Sequence, residues 1–440
     1  MHNEELRKDN GFNDIVHYTS CIVHYSLMNC RFCHTPLSHV FIDLFNSPAS
    51  NSFLTAAQLN EPETFYPLKV FTCPTCYLVQ VDEYKKSDAI FDSDYVYFSS
   101  FSTSWLAHSK RYVDAMTERF GLNANSQVIE VASNDGYLLQ YFVEKGVPVL
   151  GIEPTANTAA AAIAKGIPSI TRFFGTELAR ELADQRTRRD DARADLLLGN
   201  NVLAHVPDIV DFVAGMAIAL KPTGVITMEF PHLLQLVENN QFDTIYHEHF
   251  SYLSFTTVRQ IFAAQGLTLF DVEELPTHGG SLRIYARHDA DETKPVLPSV
   301  EAMLQKEAHT GLTTMAYYEG FQQRALQVKL DLLNFLIEQK RAGKRVAAYG
   351  AAAKGNTLLN YCGVKSDLID FVVDANPAKQ DKFLPASHIP VVAEATLKER
   401  QPDYVLILPW NLREEITRQL AYITEWGGQF VVPIPEVKVL

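Results

Sequence analysis

Little in these 440 residues points to a secreted, membrane-spanning or nucleic-acid-bound protein. No apolar run approaches the ~20 residues that cross a bilayer. The opening stretch, MHNEELRKDNGFND, has no apolar core of a secretory signal, so a cytoplasmic location is expected. Positive charge is scarce. Lys and Arg number 38 against 52 Asp and Glu, a net charge of −14, the reverse of the basic face that phosphate-backbone recognition requires. A single basic pocket for one phosphorylated ligand stays compatible with that balance. Cysteine is also sparse: six residues in a chain this long are too few for a disulfide scaffold. What remains is a composition, 47% hydrophobic and 20% charged, of an ordinary globular protein too long for one core. Two or three domains are expected.

The placement of the cysteines says more than their number. Five fall before residue 90, and four form two knuckles, Cys30-Arg-Phe-Cys33 and Cys73-Pro-Thr-Cys76. A two-residue spacer lets neighbouring thiolates converge on one ion at ~2.3 Å, so the pairs predict a tetrahedral zinc site. Such a site supplies folding free energy directly, on the order of 10 kcal/mol. Redox or plain reduced thiols are the alternatives. Cys21 and Cys362 have no comparable partner.

From about residue 126 the chain alternates strand-like and helix-like runs. QVIEVA (127–132), VPVLGIEP (147–154), PSITRFF (168–174) and ADLLLGNNV (194–202) read as strands. GVITMEFP (224–231), LTLFDVEEL (267–275) and SLRIYARH (281–288) continue the series. Helical patterns such as TANTAAAAIAKG and TTVRQIFAAQG separate the first six, while the last two are joined by PTHGG as a hairpin. This predicts an α/β protein with a mostly parallel, helix-covered sheet and an antiparallel addition. Seven strands ending in a reversed hairpin suggest the S-adenosylmethionine (SAM) methyltransferase sheet, Rossmann-like but distinct from the dinucleotide-binding one. A long helical region then leads into a second α/β unit: RVAAYGAAAKGNTLLNYCG, LIDFVVDANPAKQ and DYVLILPW. The expected domains are 1–90 (zinc-binding), 91–295 (methyltransferase) and 296–440 (a second Rossmann-like unit).

Ligands of doubly wound sheets sit beyond the carboxyl ends of the strands. There the first strand delivers Glu130 and then turns through Ser133, Asn134, Asp135 and Gly136, whose small size lets backbone approach a cofactor. The second strand ends in Glu153, where a carboxylate can accept ribose hydroxyls. Gly-x-Gly-x-Gly is absent from this turn, and on spacing alone an NAD site stays open. Asn200, Asn201 and His205 lie over the same edge.

Residues 245–252, IYHEHFSY, fall at that edge too, between the fifth strand and the next helix. His-Glu-x-x-His is absent, so a zinc-protease site cannot be built. Acid–base chemistry suits the composition better. An imidazole has an unperturbed pKa near 6.5, a neighbouring Glu can orient it, and a Tyr hydroxyl can donate to a developing oxyanion. A crowded but purely structural loop is the other reading.

Taken in order, the four cysteines, EVASNDGYLL, GIEP, LAHVPD, IYHEHFSYLS, HGGSLRIY, GAAAKGNTLLNYCG and VDANP resemble the SAM-dependent sugar C-methyltransferases of deoxysugar biosynthesis. The resemblance covers nearly the whole chain. It implies catalytic roles for Tyr246, Glu248 and His249, with His205 in the pocket and a further tyrosine from DYVYFSS, Tyr97 in preference to Tyr95. It implies a structural zinc on Cys30, Cys33, Cys73 and Cys76 and SAM as the cofactor, for which the strand-end residues Glu130, Ser133, Asn134, Gly136, Glu153 and Asn200 are the candidates. The implied substrate is a nucleotide-linked, commonly dTDP-linked, 4-keto-6-deoxy sugar. Tyr95, His278, Ser281, Lys354 and Asn356 are the candidates for holding it, Lys354 through the diphosphate. Two competing readings stay open at this point: an NAD-dependent nucleotide-sugar oxidoreductase, and a non-catalytic zinc-bearing SAM-binding protein. Monomer and dimer are equally compatible with the sequence.

Overall fold

The structure, a computed structural model, describes residues 28–86, 98–184 and 192–440. Three sheets organise them. The first is antiparallel, in the order β1 (His39–Ser47), β2 (Tyr66–Thr72), β3 (Val79–Val81) and β9 (Ser251–Tyr252). In β2 the inward residues Leu68, Val70 and Thr72 alternate with more exposed ones, the period-two pattern of a half-buried strand. The last strand is borrowed from the IYHEHFSY stretch. The zinc knuckles and the central sheet are therefore stitched together at the segment that carries the histidines.

The second sheet has seven strands. β4 (Val128–Val131) is flanked on one side by β5 (Val149–Ile152) and β6 (Ser169–Ile170). On its other side come β7 (Ala194–Asn200) and β8 (Leu220–Pro231), all parallel. β11 (Ser281–His288) inserts antiparallel between β8 and β10 (Leu267–Leu275), the expected hairpin. The buried run Val128–Val131 shows why β4 is central: with both faces covered, a parallel strand needs no polar alternation. The strand read from residues 168–174 shrinks to two. Among the described residues its one partner strand is β5, which ends at Ile152, and beyond Ile170 Arg172, Phe173 and Phe174 line the cavity described below.

The long helical region is two helices, Pro298–Thr310 and Phe321–Arg341, broken where Gly311 (φ 99°) caps the first and Gly320 (φ 82°) opens the second. Glu307 on the first is fully buried and accepts the amides of Phe255 (2.7 Å) and Thr256 (2.8 Å), capping helix Phe255–Ala263 directly after β9. The second helix stacks Phe321 on Phe41 of β1, with ring centroids 4.6 Å apart, worth about 1 kcal/mol beyond burial.

The third sheet runs β14 (Val391–Val392), β13 (Val372–Val373), β12 (Val346–Tyr349), β15 (Tyr404–Ile407), β16 (Gln429–Val432) and antiparallel β17 (Lys438–Val439). It too is doubly wound, with its chain reversal between β12 and β15. The carboxyl ends of both parallel sheets open on one space.

Candidate active site

That space is a cavity of 1590 Å³, lined by turns that follow β4, β5, β7 and β8 on one side and β12 and β15 on the other. Sites for one drug-sized ligand occupy roughly 300–1,000 Å³, so this one has room for two.

On the cofactor side, Asn134, Glu153 and Asn200 line the cavity. The turn after β4 holds Ala132 (φ 58°), Asn134 (φ 47°) and Gly136 (φ 75°) in left-handed conformations, which fold it tightly enough to bring backbone to the cavity wall. Glu153 accepts the amides of Asn134 (2.9 Å) and Thr155 (2.8 Å), so its carboxylate is aimed by the turn it faces. Asn200 is buried, and neither amide atom has a partner among the described residues, an incomplete set of the kind a polar ligand would fill. Glu130, Ser133 and Gly136 do not reach the wall. Gly136 is pressed on Ile167, where an added Cβ would come within 2.3 Å of Cδ1; Glu130 is fully buried in β4, and burial pushes its carboxyl well up. Both support the turn from behind.

The histidine segment divides by side. The His247 ring turns to the zinc sheet, its Nε2 donating to the Pro67 carbonyl at 3.2 Å and its ring against Tyr66. His249 turns to the cavity. Its Nδ1 lies 2.9 Å from the Thr244 carbonyl, which can only accept, so Nδ1 carries the proton and Nε2 the lone pair. That lone pair receives the Tyr246 hydroxyl at 2.9 Å. His205 repeats the device, its Nδ1 donating to the Glu248 carbonyl at 2.7 Å, and the two rings sit 4.6 Å apart. Burial lowers the pKa of His249 well below the ordinary value and brings that of His205 to about 4, so both are neutral at pH 7. Burial drives the Glu248 carboxyl the other way, up to about 7, against the Asn51 amide, which donates to both its oxygens at 3.2 and 3.0 Å.

Of the substrate-side candidates, His278 and Lys354 line the cavity. His278 accepts from the Asn201 amide at 3.0 Å and meets the Trp105 ring edge-on. Lys354 donates to Asn411 (2.7 Å) and lies over the Trp410 ring. Ser281 and Asn356 are off the wall: the Ser281 hydroxyl donates to Thr277, and the Asn356 amide to Ser50 (2.6 Å). Tyr95 and Tyr97 lie outside the described residues, as does Cys21. The sequence reading missed Asn51, Asp243, Lys379 and Trp410. Only Trp410 had a usable signal, as the residue closing DYVLILPW at the carboxyl edge of a parallel strand. Asn51 comes from a loop some two hundred residues away in sequence.

The thiol groups of Cys30, Cys33, Cys73 and Cys76 lie within 4.8 Å of one another. Four converging sulfurs suit zinc in a structural role.

Comparison with known proteins decides the family. The chain is 35% identical to the C-methyltransferase NovU of Streptomyces niveus over 412 residues, 93% of this chain and 96% of that one. The chain belongs to the C-methyltransferase family. Family descriptions divide this C-methyltransferase accordingly: a zinc binding domain matches residues 30–91, a methyltransferase domain 105–272 and a C-methyltransferase C-terminal domain 276–435. The ubiquinone biosynthesis O-methyltransferase of Rhodopseudomonas palustris strain TIE-1 is 29% identical over 122 residues, 26% of this chain and 46% of that one. Among solved structures, the PH0226 protein of Pyrococcus horikoshii OT3 aligns at 14% identity over 44% of this chain and 95% of that one, with a TM-score of 0.36. The protein is thus a SAM-dependent C-methyltransferase carrying a structural zinc. The oxidoreductase and non-catalytic readings give way to it. No helix among the described residues is long and apolar enough to cross a membrane.

Proposed function

We propose that this C-methyltransferase alkylates a carbon adjacent to the ketone of a nucleotide-linked, dTDP-type, 4-keto-6-deoxy sugar, with His249 as the base. The observation that carries the reading is the hydrogen-bond chain Thr244 carbonyl–His249–Tyr246, which makes Nε2 the basic nitrogen and places it, with the Tyr246 hydroxyl on its lone pair, at a cavity shared with the cofactor edge. A ketone acidifies its neighbouring carbon, and a neutral imidazole removes that proton at pH 7. When the Tyr246 hydroxyl leaves Nε2 for the ketone oxygen, the freed lone pair takes the carbon-bound proton and the same hydroxyl holds the enolate oxygen, with His205 beside it. SAM, when bound, supplies the electrophilic methyl that the enolate carbon takes. Glu248 fixes the backbone whose carbonyl orients His205. General-base catalysis of this kind contributes roughly 10²–10⁴-fold.

Lys354 and Asn411, at the third sheet's carboxyl edge, are suited to the substrate's diphosphate. Burial lowers the Lys354 pKa while Asp243 opposes the shift, and a bound phosphate would hold the charge further. In this reading the boundaries at residues 90 and 295 separate the thiolate site, the methyl-donor sheet and the nucleotide end.

The test is mass spectrometry of enzyme with SAM and a dTDP-4-keto-6-deoxy sugar in deuterated water. One added methyl on the sugar is expected, and His249→Asn should abolish both methylation and deuterium entry while SAM still binds. No methylation across a panel of nucleotide-linked keto sugars, with SAM binding intact, would remove the sugar assignment.

A further inference from the structure

The base is oriented by a carbonyl, and that carbonyl belongs to a short turn gripped from the third sheet. Phe242–Thr244 forms a single 3₁₀ turn. Phe242 meets the Tyr361 ring edge-on, with centroids 5.4 Å apart. Asp243, fully buried, accepts the Trp410 indole N–H at 2.7 Å. Ile245, also fully buried, accepts the Thr357 hydroxyl at 2.9 Å. Tyr361, Trp410 and Thr357 all come from the C-terminal sheet domain, two from helix Ala353–Cys362 and one from the turn after β15. Between the two anchored residues stands Thr244, whose carbonyl takes the His249 Nδ1 proton. Trp410 is itself immobilised. An added Cβ at Gly279 would meet its Cη2 at 2.5 Å, and Lys354 covers its face at 4.8 Å.

We infer that Trp410 and Thr357 are positioning residues: from the C-terminal domain they hold residues 243–245 so that the Thr244 carbonyl fixes the ring orientation and tautomer of His249. The inference rests on His249 being the base. His205 provides an internal contrast, because its orienting carbonyl belongs to Glu248, which is held by Asn51 of the zinc-bearing region. Loosening the C-terminal grip should disturb one histidine and spare the other. Catalytic geometry is sensitive at this scale: a displacement of about 1 Å can cost on the order of 10²-fold in rate.

The experiment uses the full chain and four variants: Thr357→Val, Thr357→Ser, Trp410→Phe and His249→Asn. Thr357→Val keeps the shape and deletes the donor, and Trp410→Phe keeps a ring over Gly279 and deletes the indole N–H. Each should lower kcat about 10- to 100-fold. KM for the keto sugar and Kd for SAM should stay within about twofold, and Thr357→Ser should recover most of the rate. A substrate-free readout accompanies these: imidazole ¹⁵N spectra in which the Nδ1–H tautomer of His249 is lost in both donor-deleting variants while His205 keeps its signal. Unchanged kcat and spectra in Thr357→Val and Trp410→Phe would overturn the inference, as would Thr357→Ser behaving like Thr357→Val, or a loss carried by KM alone. If His249→Asn still exchanges deuterium into the substrate, the assignment of the base fails instead, and that arm separates the two failures.

Discussion

Glu248 shows how a single residue is held against its own preference. It is 6% exposed, its carboxyl is pushed up to about 7 by burial, and the Asn51 amide, with Lys85 and Lys379 at longer range, offsets part of that cost. A carboxyl whose folded pKa lies above its unfolded value binds its proton more tightly in the native state. Its stabilising contribution is complete below about pH 4.5 and is lost as pH rises through about 7. Glu248→Gln keeps an acceptor for Asn51 and removes the charge. At pH 8 it should be more stable than the parent by up to about 3 kcal/mol, the equivalent of that shift, and no more stable at pH 4. Methyl transfer should fall in the same variant. Thermal midpoints at the two pH values check the first claim; a midpoint difference that does not change between them would mean the carboxyl is not raised. His247 and His249, two residues apart, carry a related lesson. Both burials were unreadable from the sequence, because which ring meets Pro67 and which meets the cavity depends on the zinc sheet lying across the segment.

At the scale of elements, the turns decide more than the strands. Thr277–Gly279 joins the β10–β11 hairpin to the C-terminal domain, with His278 at φ 55°, Gly279 at φ 90° and Gly280 at φ 114°. Gly279→Ala would combine an unfavourable backbone conformation with a Cβ 2.5 Å from the Trp410 ring, and should destabilise by about 1–3 kcal/mol while displacing Trp410. Gly121→Ala, at φ 63° with open space around it, isolates the backbone part at about 1 kcal/mol. Equal losses of unfolding midpoint in the two variants would show that the Trp410 contact gives way freely. The hairpin, the seven strands and the two knuckles were legible because each rests on local pattern: alternation, apolar runs, Cys spacing. The two-residue β9 was not. Ser251 and Tyr252 become a strand only because β3 offers an unpaired edge, and a sequence window contains nothing of that edge. Asn51 and Lys379 are silent for the same reason, since each reaches the cavity from a part of the chain distant in sequence from the histidine segment. Ser281 and Asn356 show the converse: quoted within recognisable motifs, they point to the backbone of Thr277 and Ser50 and away from the cavity.

For the molecule as a whole, the zinc site and the chemistry are mechanically joined although the metal ligands stand off the cavity. Cys73 and Cys76 form the turn between β2 and β3, and β3 pairs with β9 immediately after His249. The Val81 amide donates to Phe250 (3.1 Å), the Thr257 hydroxyl to Cys76 (3.0 Å), and Arg31, inside the first knuckle, to the Pro207 carbonyl (3.0 Å) just past His205. Both histidine loops thus lean on the knuckles. Asn134, Glu153 and Asn200, by contrast, are carried by the seven-stranded sheet, which takes no strand from the zinc region. Removing the metal should therefore separate two properties that most damage would abolish together. Protein stripped by a chelator, with metal content followed by elemental analysis, is expected to lose methyl transfer at least about tenfold, as outer-shell supports of a site commonly do. SAM affinity, measured by calorimetry without substrate, should change by less than a factor of about three, and zinc should restore the rate. Full activity in verified metal-free protein would show that the β3–β9 pairing survives on hydrogen bonds alone. If SAM binding falls in step with activity, the zinc sheet supports the whole central domain, because the thiolates and Leu37 and Leu78 pack into the same apolar cluster as Ile129 and Ile152.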